Sequence, residues 1–138
     1  MILVDTNVFS ETQKTLPDPR VVEWLHVHKN DTILSAVVIA EIELGIRITP
    51  SLRKRDLLAS WLERLMARHE GDRTLDFDTA AALKYGEIMA SLLRDGRHAG
   101  IHDGHIAAQA MTRDFAIATR NVKDFDHEGI ELIDPWET

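Results

Sequence analysis

Three carboxylate residues stand where an ordinary surface charge is not expected. Asp5 directly follows the apolar run Ile-Leu-Val at the start of the chain. Glu41 and Asp103 each fall in line with apolar residues at helical spacing, on stripes that would face a core. These apolar neighbours are Val37, Leu44 and Ile48 for Glu41, and Ile106, Ala107 and Ala110 for Asp103. A carboxylate on a buried stripe is costly without a partner, and neither stripe carries a Lys or Arg.

Two of the acids have an ordinary explanation when taken alone. Asp5 could cap a helix or stand in a turn, and Asp103 could lie in the first turn of a helix, where the helix dipole favours a negative charge. Glu41 is harder to explain in this way. Together the acids predict a cation site. Three carboxylates about 5 Å apart would repel by roughly 3 kcal/mol per pair, a large part of a typical folding free energy. Oxygen ligands that leave positions open to water suit Mg²⁺ or Mn²⁺ rather than zinc.

The elements that must position these acids alternate between short apolar runs and longer helical patterns. Strands are predicted at Ile2–Val4, Thr32–Leu34, Thr74–Phe77, Phe115–Ala118 and Glu131–Ile133. Helices are predicted after Asp18 and Pro19, from Ser35 to about Ile48, from Leu52 to His69, after Asp78 through Leu92, and over 102–112. This alternation predicts an α/β fold with a parallel sheet and helices on both faces. Ligands of such sheets bind outside the carboxyl ends of the strands.

The composition excludes several function classes. The chain has 138 residues, no cysteine and a formal net charge of −7 at pH 7. Without a Gly/Ser-rich or Pro-rich linker, we expect one domain over residues 1–138, and no disulfide, thiolate zinc site or cysteine nucleophile. No apolar run approaches the ~20 residues that cross a bilayer, and no basic signal segment is present, so we expect a cytoplasmic protein without membrane contact. The acidic balance argues against non-specific coating of nucleic acid.

Four segments carry a family resemblance in their order and spacing. They are Met-Ile-Leu-Val-Asp-Thr-Asn at 1–7, Ser-Ala-Val-Val-Ile-Ala-Glu-Ile-Glu-Leu-Gly at 35–45, Ile-His-Asp-Gly-His-Ile-Ala-Ala at 101–108, and Ala-Thr-Arg-Asn-Val-Lys-Asp-Phe at 118–125. Together they resemble the PIN-domain ribonucleases, and within them the VapC-like toxins of type II toxin–antitoxin systems, especially the FitB-like branch. The resemblance extends from residue 1 to about residue 133.

The resemblance implies a three-layer α/β/α fold with a mainly parallel sheet of about five strands. It also implies an acidic pocket that binds Mg²⁺ or Mn²⁺ and hydrolyses RNA phosphodiester bonds. Asp5, Glu41 and Asp103 match the three central acids, which are both catalytic residues and metal ligands. Asn121 stands at the fourth catalytic position, where many members have an acid, and Asp124 follows three residues later. Small polar positions that line such pockets are matched by Thr6, Asn7 and Thr119.

The resemblance further implies the partners of such a toxin. These are an RNA substrate, a cognate antitoxin protein that contacts operator DNA on the toxin's behalf, and a second copy of the chain in a homodimer. A two-helix unit over 36–69 could form a groove for the antitoxin. The apolar stripe of the second helix of this unit, formed by Leu57, Leu58, Trp61, Leu62 and Leu65, is also typical of a simple core face.

Other interpretations remain open from the sequence. A catalytically degenerate PIN domain, acting as a partner-binding or promoter-binding subunit, is favoured by Asn121. A haloacid-dehalogenase-like phosphotransferase would need a second acid where Asn7 stands. The basic residues Arg47, Arg53, Lys54, Arg55, Arg94, Arg97 and Arg120 could form a phosphate-contacting rim or a solvated surface. His98, His102 and His105 have spacings that invite a zinc site, but hydrogen bonding near the surface, with His102 beside the pocket, is the simpler expectation.

Overall fold

The computed structural model describes residues 1–125 and 129–137. Within these residues five strands form one sheet in the order β3-β2-β1-β4-β5, and all four pairings are parallel. The strands are β1 (Ile2–Val4), β2 (Thr32–Ser35), β3 (Thr74–Leu75), β4 (Ala116–Ala118) and β5 (Leu132–Ile133). The predicted α/β class and five-stranded parallel sheet are therefore confirmed.

The connections between strands carry the helices in the described part of the chain. They are α1 (Thr6–Glu11), α2 (Pro19–Val27), α3 (Ala36–Arg47), α4 (Leu52–Ala67), α5 (Thr79–Arg94) and α6 (Ile101–Arg113). The chain moves in one direction from β1 to β2 to β3, and then crosses back to β4 on the other side of β1. Right-handed crossovers in opposite directions place α1 to α4 on one face and α5 and α6 on the other. None of these helices is long and apolar enough to cross a bilayer.

Short polar side chains begin most of the helices as the sequence predicted. The carboxylate of Asp18 accepts from the backbone N–H of Arg20, and Pro19 occupies the first turn of α2. Ser35 and Asp78 cap α3 and α5 in the same way. Helix α1 was not predicted, because its six residues are too few to show a helical period and its cap, Asp5, also fits a turn.

The central strands are buried on both faces, which explains why they appear in the sequence as unbroken apolar runs. Leu3, Val4, Leu34, Ile117 and Ala118 are fully shielded from solvent. The strands β3 and β5 at the sheet edges are two residues long, shorter than predicted. The core therefore lies around β1, β2 and β4, the strands that also lead into the polar site described below.

The predicted buried stripe of α3 is wrong. Its buried residues are Val38, Ile42 and Ile46, whereas Leu44 is 62% and Ile48 70% exposed. The two stripes are both mainly apolar, so the period of the sequence did not distinguish the buried face of α3 from the face that meets solvent. Glu41 consequently lies on the exposed stripe, at the side of α3 rather than under it.

Helices α5 and α6 pack closely at one glycine. A Cβ added at Gly104 would stand 2.9 Å from Cε2 of Tyr85 and 3.0 Å from Sδ of Met89. The first distance is shorter than real Cβ contacts and the second is at their lower limit, so a larger residue at position 104 would force the side chains of Tyr85 and Met89 to shift. The close packing fixes the first turn of α6, which carries Asp103.

Candidate metal centre

Asp5 is held at the carboxyl end of β1 by two hydrogen bonds. Its Oδ1 accepts from the backbone N–H of Thr6 at 2.8 Å, which caps α1, and its Oδ2 accepts from the hydroxyl of Thr119 at 2.8 Å. The residue is 3% exposed. Chain direction changes between β1 and β4, so this carboxylate lies at the topological switch point, where parallel sheets bind ligands.

The segment after β4 supplies the polar surroundings of Asp5. Thr119 is fully buried, and its hydroxyl oxygen also accepts from the backbone N–H of Asn121 at 3.0 Å. The amide oxygen of Asn7 accepts from the backbone N–H of Arg120 at 3.4 Å. Thr119 and Asn7, expected as supporting residues, therefore join the β4 segment to β1 and α1.

Asp103 and His102 reach the same place from the first turn of α6. Ligand atoms of Asp5, His102 and Asp103 all lie within 4.8 Å of one another. The pKa of Asp103 is raised to about 6, first by burial and then by the negative charges of Asp5 and Asp124. Two acids that are 98 positions apart in the sequence are thus brought together by β1 and α6, as the sequence predicted.

Glu41 joins this group indirectly. Its side chain is 43% exposed, and its Oε2 lies 2.6 Å from Nδ1 of His102. The other ring nitrogen of His102, Nε2, lies 3.3 Å from Oδ1 of Asp5. The hydrogen bond to Asp5 raises the pKa of the imidazole, and the charges of Glu41, Asp5 and Asp103 add to this effect against the opposing cost of burial.

The two candidates for the fourth position are placed differently. Asn121 is exposed, and its backbone N–H is bonded to Thr119. Asp124 is also exposed and lies in the 3₁₀ turn Val122–Phe125, from which its charge raises the pKa of Asp103. Of the two candidates for the fourth position, Asp124 therefore supplies the negative charge that acts on Asp103, and the uncharged Asn121 does not.

The donor set fits a small divalent cation. The carboxylates of Asp5 and Asp103 lie close together, and the pKa of Asp103 is raised first by its burial and then by the negative charges of Asp5 and Asp124. The hydroxyl oxygen of Thr6, next to Asp5 in the chain, is buried and has no hydrogen-bond partner among the residues described. Carboxylate and hydroxyl oxygens are ligands that Mg²⁺ and Mn²⁺ prefer.

The three histidines considered for zinc do not come together in the described structure. His98 is exposed in the loop before α6. The ring of His105 packs between those of Phe77 and Tyr85, at centroid distances of 4.8 Å and 4.4 Å. His102 alone enters the acidic site, beside the pocket as expected. Its bridge between two acids was not foreseen, and the one signal in the sequence was its position next to Asp103.

Comparison with known proteins agrees with these observations. The family model of the PIN domain matches residues 2–128. The chain is 36% identical over 138 residues to the VapC ribonuclease Y4jK of Sinorhizobium fredii, with 99% of each chain covered. It is 34% identical over 137 residues to the toxin FitB of Neisseria gonorrhoeae, again with 99% of each chain covered.

A solved structure has nearly the same backbone. The FitAcB crystal structure from Neisseria gonorrhoeae matches with a TM-score of 0.89 at 34% identity, and the match covers 100% of both chains. The sheet order and the helices that position Asp5 and Asp103 are thus part of a shared architecture.

Proposed function

The chain belongs to the PIN domain family, and from that premise we propose that it is the toxin of a type II toxin–antitoxin pair and acts as a metal-dependent endoribonuclease. It works as a single domain over residues 1–138 in the cytoplasm. The observation that carries the proposal is the convergence of Asp5 and Asp103, whose ligand atoms lie within 4.8 Å of each other and of His102. The similarity to a VapC ribonuclease and to the toxin FitB supports it.

Asp5, Asp103 and Glu41 would hold Mg²⁺ or Mn²⁺. When bound, such a cation neutralises negative charge on the phosphodiester and acidifies water. The chain's own residues then position the reactants. Thr6 and Thr119 hold the two oxygens of Asp5 in fixed directions, and the buried floor beneath Asp5 excludes bulk water from one side.

Glu41 is the candidate general base. Its carboxylate is 43% exposed, so water can reach it, and it projects from α3 towards the buried acids. Water attacks the phosphorus in line and gives its proton to Glu41, while the bond between phosphorus and the leaving ribose oxygen breaks and that oxygen takes up a proton from solvent. Asn121, at the edge of the site, orients the attacking water through its amide, whereas Asp124 contributes charge.

Arg120 is a candidate RNA contact, and its side chain borders a cavity that Glu11 and Asp18 also line. Its guanidinium lies 5.0 Å from the ring centroid of Trp136, and its backbone is bonded to Asn7 at the acidic site. By contrast, Arg47 pairs with Glu43 at 2.8 Å. Arg55 donates to the carbonyl of Thr49 at 2.7 Å. The rim proposed for phosphate contact is therefore centred on Arg120 rather than on the junction between α3 and α4.

An antitoxin would occupy the cavity between α1, α2 and α4, which differs from the groove expected on the two-helix unit over 36–69 because no described residue of α3 lines this cavity. This cavity of about 440 Å³ has an apolar floor that includes Phe9, Leu25 and Trp61, and cationic side chains at its edge. The cations are Lys29, Arg64 and Arg68. An amphipathic segment with apolar anchors and flanking acids matches this surface. Because the chain carries a net charge of −7, operator DNA is contacted through the antitoxin.

The homodimer expectation receives support from the outer stripe of α3. Leu44 and Ile48 are large apolar side chains exposed in the single chain, and Leu52 at the start of α4 continues the patch with 71% exposure. A second copy of the chain is the partner proposed for this face. Gel filtration at high micromolar concentration tests the proposal, and a strict monomer contradicts it.

The function is tested with purified chain and RNA, with Mg²⁺ or Mn²⁺ and with EDTA, beside Asp5→Asn. We expect cleavage by the parent only with metal and none by the variant, which keeps the size and fold of the parent. Metal-independent cleavage, or full cleavage by Asp5→Asn, contradicts the assignment. An inactive parent that still binds its antitoxin and the operator complex identifies the degenerate PIN domain instead.

A further inference from the structure

The imidazole of His102 lies between two acids of the proposed metal site. Its Nδ1 is 2.6 Å from Oε2 of Glu41, and its Nε2 is 3.3 Å from Oδ1 of Asp5. The side chain of Asp5 is 4% exposed and that of His102 is 27% exposed. The ring therefore lies between the buried carboxylate of Asp5 and the more exposed carboxylate of Glu41. One side chain thus spans the distance from α3 to the end of β1.

This bridge is what connects Glu41 to the rest of the site. The group of ligand atoms within 4.8 Å of one another comprises Asp5, His102 and Asp103, and Glu41 stands outside it. Glu41 lies on the exposed stripe of α3, where its side chain could adopt several rotamers. Contact with the ring gives it one direction, towards Asp5.

The orientation of the ring shows whether its nitrogens donate hydrogen bonds to the acids or offer lone pairs to a cation. Carboxylate oxygens only accept hydrogen bonds, so a ring nitrogen that faces one must present its hydrogen. Both nitrogens of His102 face carboxylate oxygens, and in this position neither directs a lone pair at a cation. The ring therefore occupies oxygens that a cation would use, instead of adding a ligand to them.

We propose that the imidazole of His102 donates hydrogen bonds to Asp5 and Glu41 in the metal-free protein and must turn away when a divalent cation binds both acids. We call this the placeholder role of His102. The inference rests on the proposed function, because it takes Asp5 and Glu41 as metal ligands. Its consequences are two. The metal-free fold is more stable with the ring than without it, and the affinity for the cation is lower with the ring than without it.

The experiment compares His102→Ala with the parent chain and with His98→Ala, a control in the exposed loop before α6. Thermal unfolding in EDTA measures the metal-free fold, and calorimetric titration with MnCl₂ at one neutral pH measures affinity. We expect His102→Ala to melt a few degrees lower in EDTA and to bind Mn²⁺ about threefold to tenfold more tightly. We expect His98→Ala to match the parent in both measurements.

A second variant, His102→Gln, fills much of the same space and can donate to one acid, so its affinity should fall between those of the parent and His102→Ala. Weaker Mn²⁺ binding by both variants makes His102 a ligand and overturns the placeholder. Equal binding by parent and variants, or an unchanged melting temperature in EDTA, overturns it as well, while the proposed metal site stands. Absence of Mn²⁺ binding by every chain overturns the metal dependence of the proposed function together with this inference.

Discussion

The hydroxyl of Thr119 donates a 2.8 Å hydrogen bond to Oδ2 of Asp5, and this bond ties the end of β4 to the end of β1 across 114 positions of sequence. Both residues are buried, at 0% and 3% exposure. The direction of the Asp5 carboxylate is therefore fixed from a distant part of the chain. A residue with no role in binding a cation can control activity by this route.

Replacing Thr119 tests this control. Thr119→Val keeps the shape of the side chain but leaves Oδ2 of Asp5 without its donor, at a cost of about 1–3 kcal/mol in the free energy of unfolding. RNA cleavage should fall about tenfold or more because the carboxylate is misdirected. Thr119→Ser retains the donor and should recover most of the cleavage rate. Denaturant unfolding and cleavage assays measure both effects, and a Val variant as active as the parent contradicts the role.

Asp103→Asn should abolish RNA cleavage while raising the melting temperature of the metal-free protein at neutral pH. The pKa of Asp103 is raised to about 6, above its value in the unfolded chain, so its charge destabilises the fold above that pH. The difference in melting temperature between Asp103→Asn and the parent should become smaller as the pH falls below about 6, because Asp103 of the folded parent is then protonated. Melting curves in EDTA across this range test the sign, with the exposed Asp56→Asn as control. A lower melting temperature for Asp103→Asn at neutral pH contradicts it.

Gly104→Ala should destabilise the fold, because its Cβ would press against Tyr85 and Met89. Overpacking of this kind costs about 1–3 kcal/mol, more than the gain in helix propensity. Gly86→Ala on α5 is the matched control, since among the described residues no atom beyond its chain neighbours and the adjacent backbone of α5 lies within 4 Å of its added Cβ. That variant should gain up to about 1 kcal/mol. Unfolding of both variants in urea measures the difference, and equal shifts would refute the packing explanation.

The acid stability of the fold should depend on His69. The residue is 4% exposed; its Nδ1 lies 2.8 Å from the carbonyl of Leu65, and its Nε2 lies 3.0 Å from the hydroxyl of Thr32. Burial lowers its pKa, with nearby Arg73 and Arg68 adding to the shift. As the pH falls, His69 is therefore protonated at a higher pH in the unfolded chain than in the folded chain. The free energy of unfolding decreases as the pH drops from about 7 to 5.

His69→Gln can still donate and accept but cannot titrate. Its free energy of unfolding should therefore fall less than that of the parent over the same pH range. Urea unfolding at several pH values, compared between the two chains, isolates this residue because every other histidine is common to both. Parallel curves for the two chains would show that the acid sensitivity arises elsewhere.

Asp124→Asn should lower RNA cleavage more than Asn121→Ala. The charge of Asp124 acts on Asp103, whereas Asn121 is exposed and is tied to Thr119 through its backbone, which the substitution leaves in place. Loss of one outer-shell partner of a metal site typically costs about tenfold to a hundredfold in activity. Cleavage rates under saturating RNA compare the two variants. The reverse order would make Asn121 the more important residue of the fourth position.

The sequence predicted the sheet and the pairing of Asp5 with Asp103, because both depend on local signals. Unbroken apolar runs mark buried parallel strands, and an acid directly after β1 must lie at the carboxyl edge of the sheet. The buried face of α3 could not be predicted, since the stripe with Val38 and the stripe with Leu44 are equally apolar. The contact between His102 and Glu41 joins two helices from opposite faces of the sheet, and no local pattern encodes such a contact.

The central place of β1 also determines when the site can exist during synthesis. β1 is synthesised before its neighbour β4, with β2, β3 and the helices α1 to α6 between them in the chain. A nascent chain that ends before Ile101 contains Asp5 and Glu41 but lacks Asp103 and Thr119. The acidic site is therefore incomplete until α6 and the segment that follows β4 have both been synthesised.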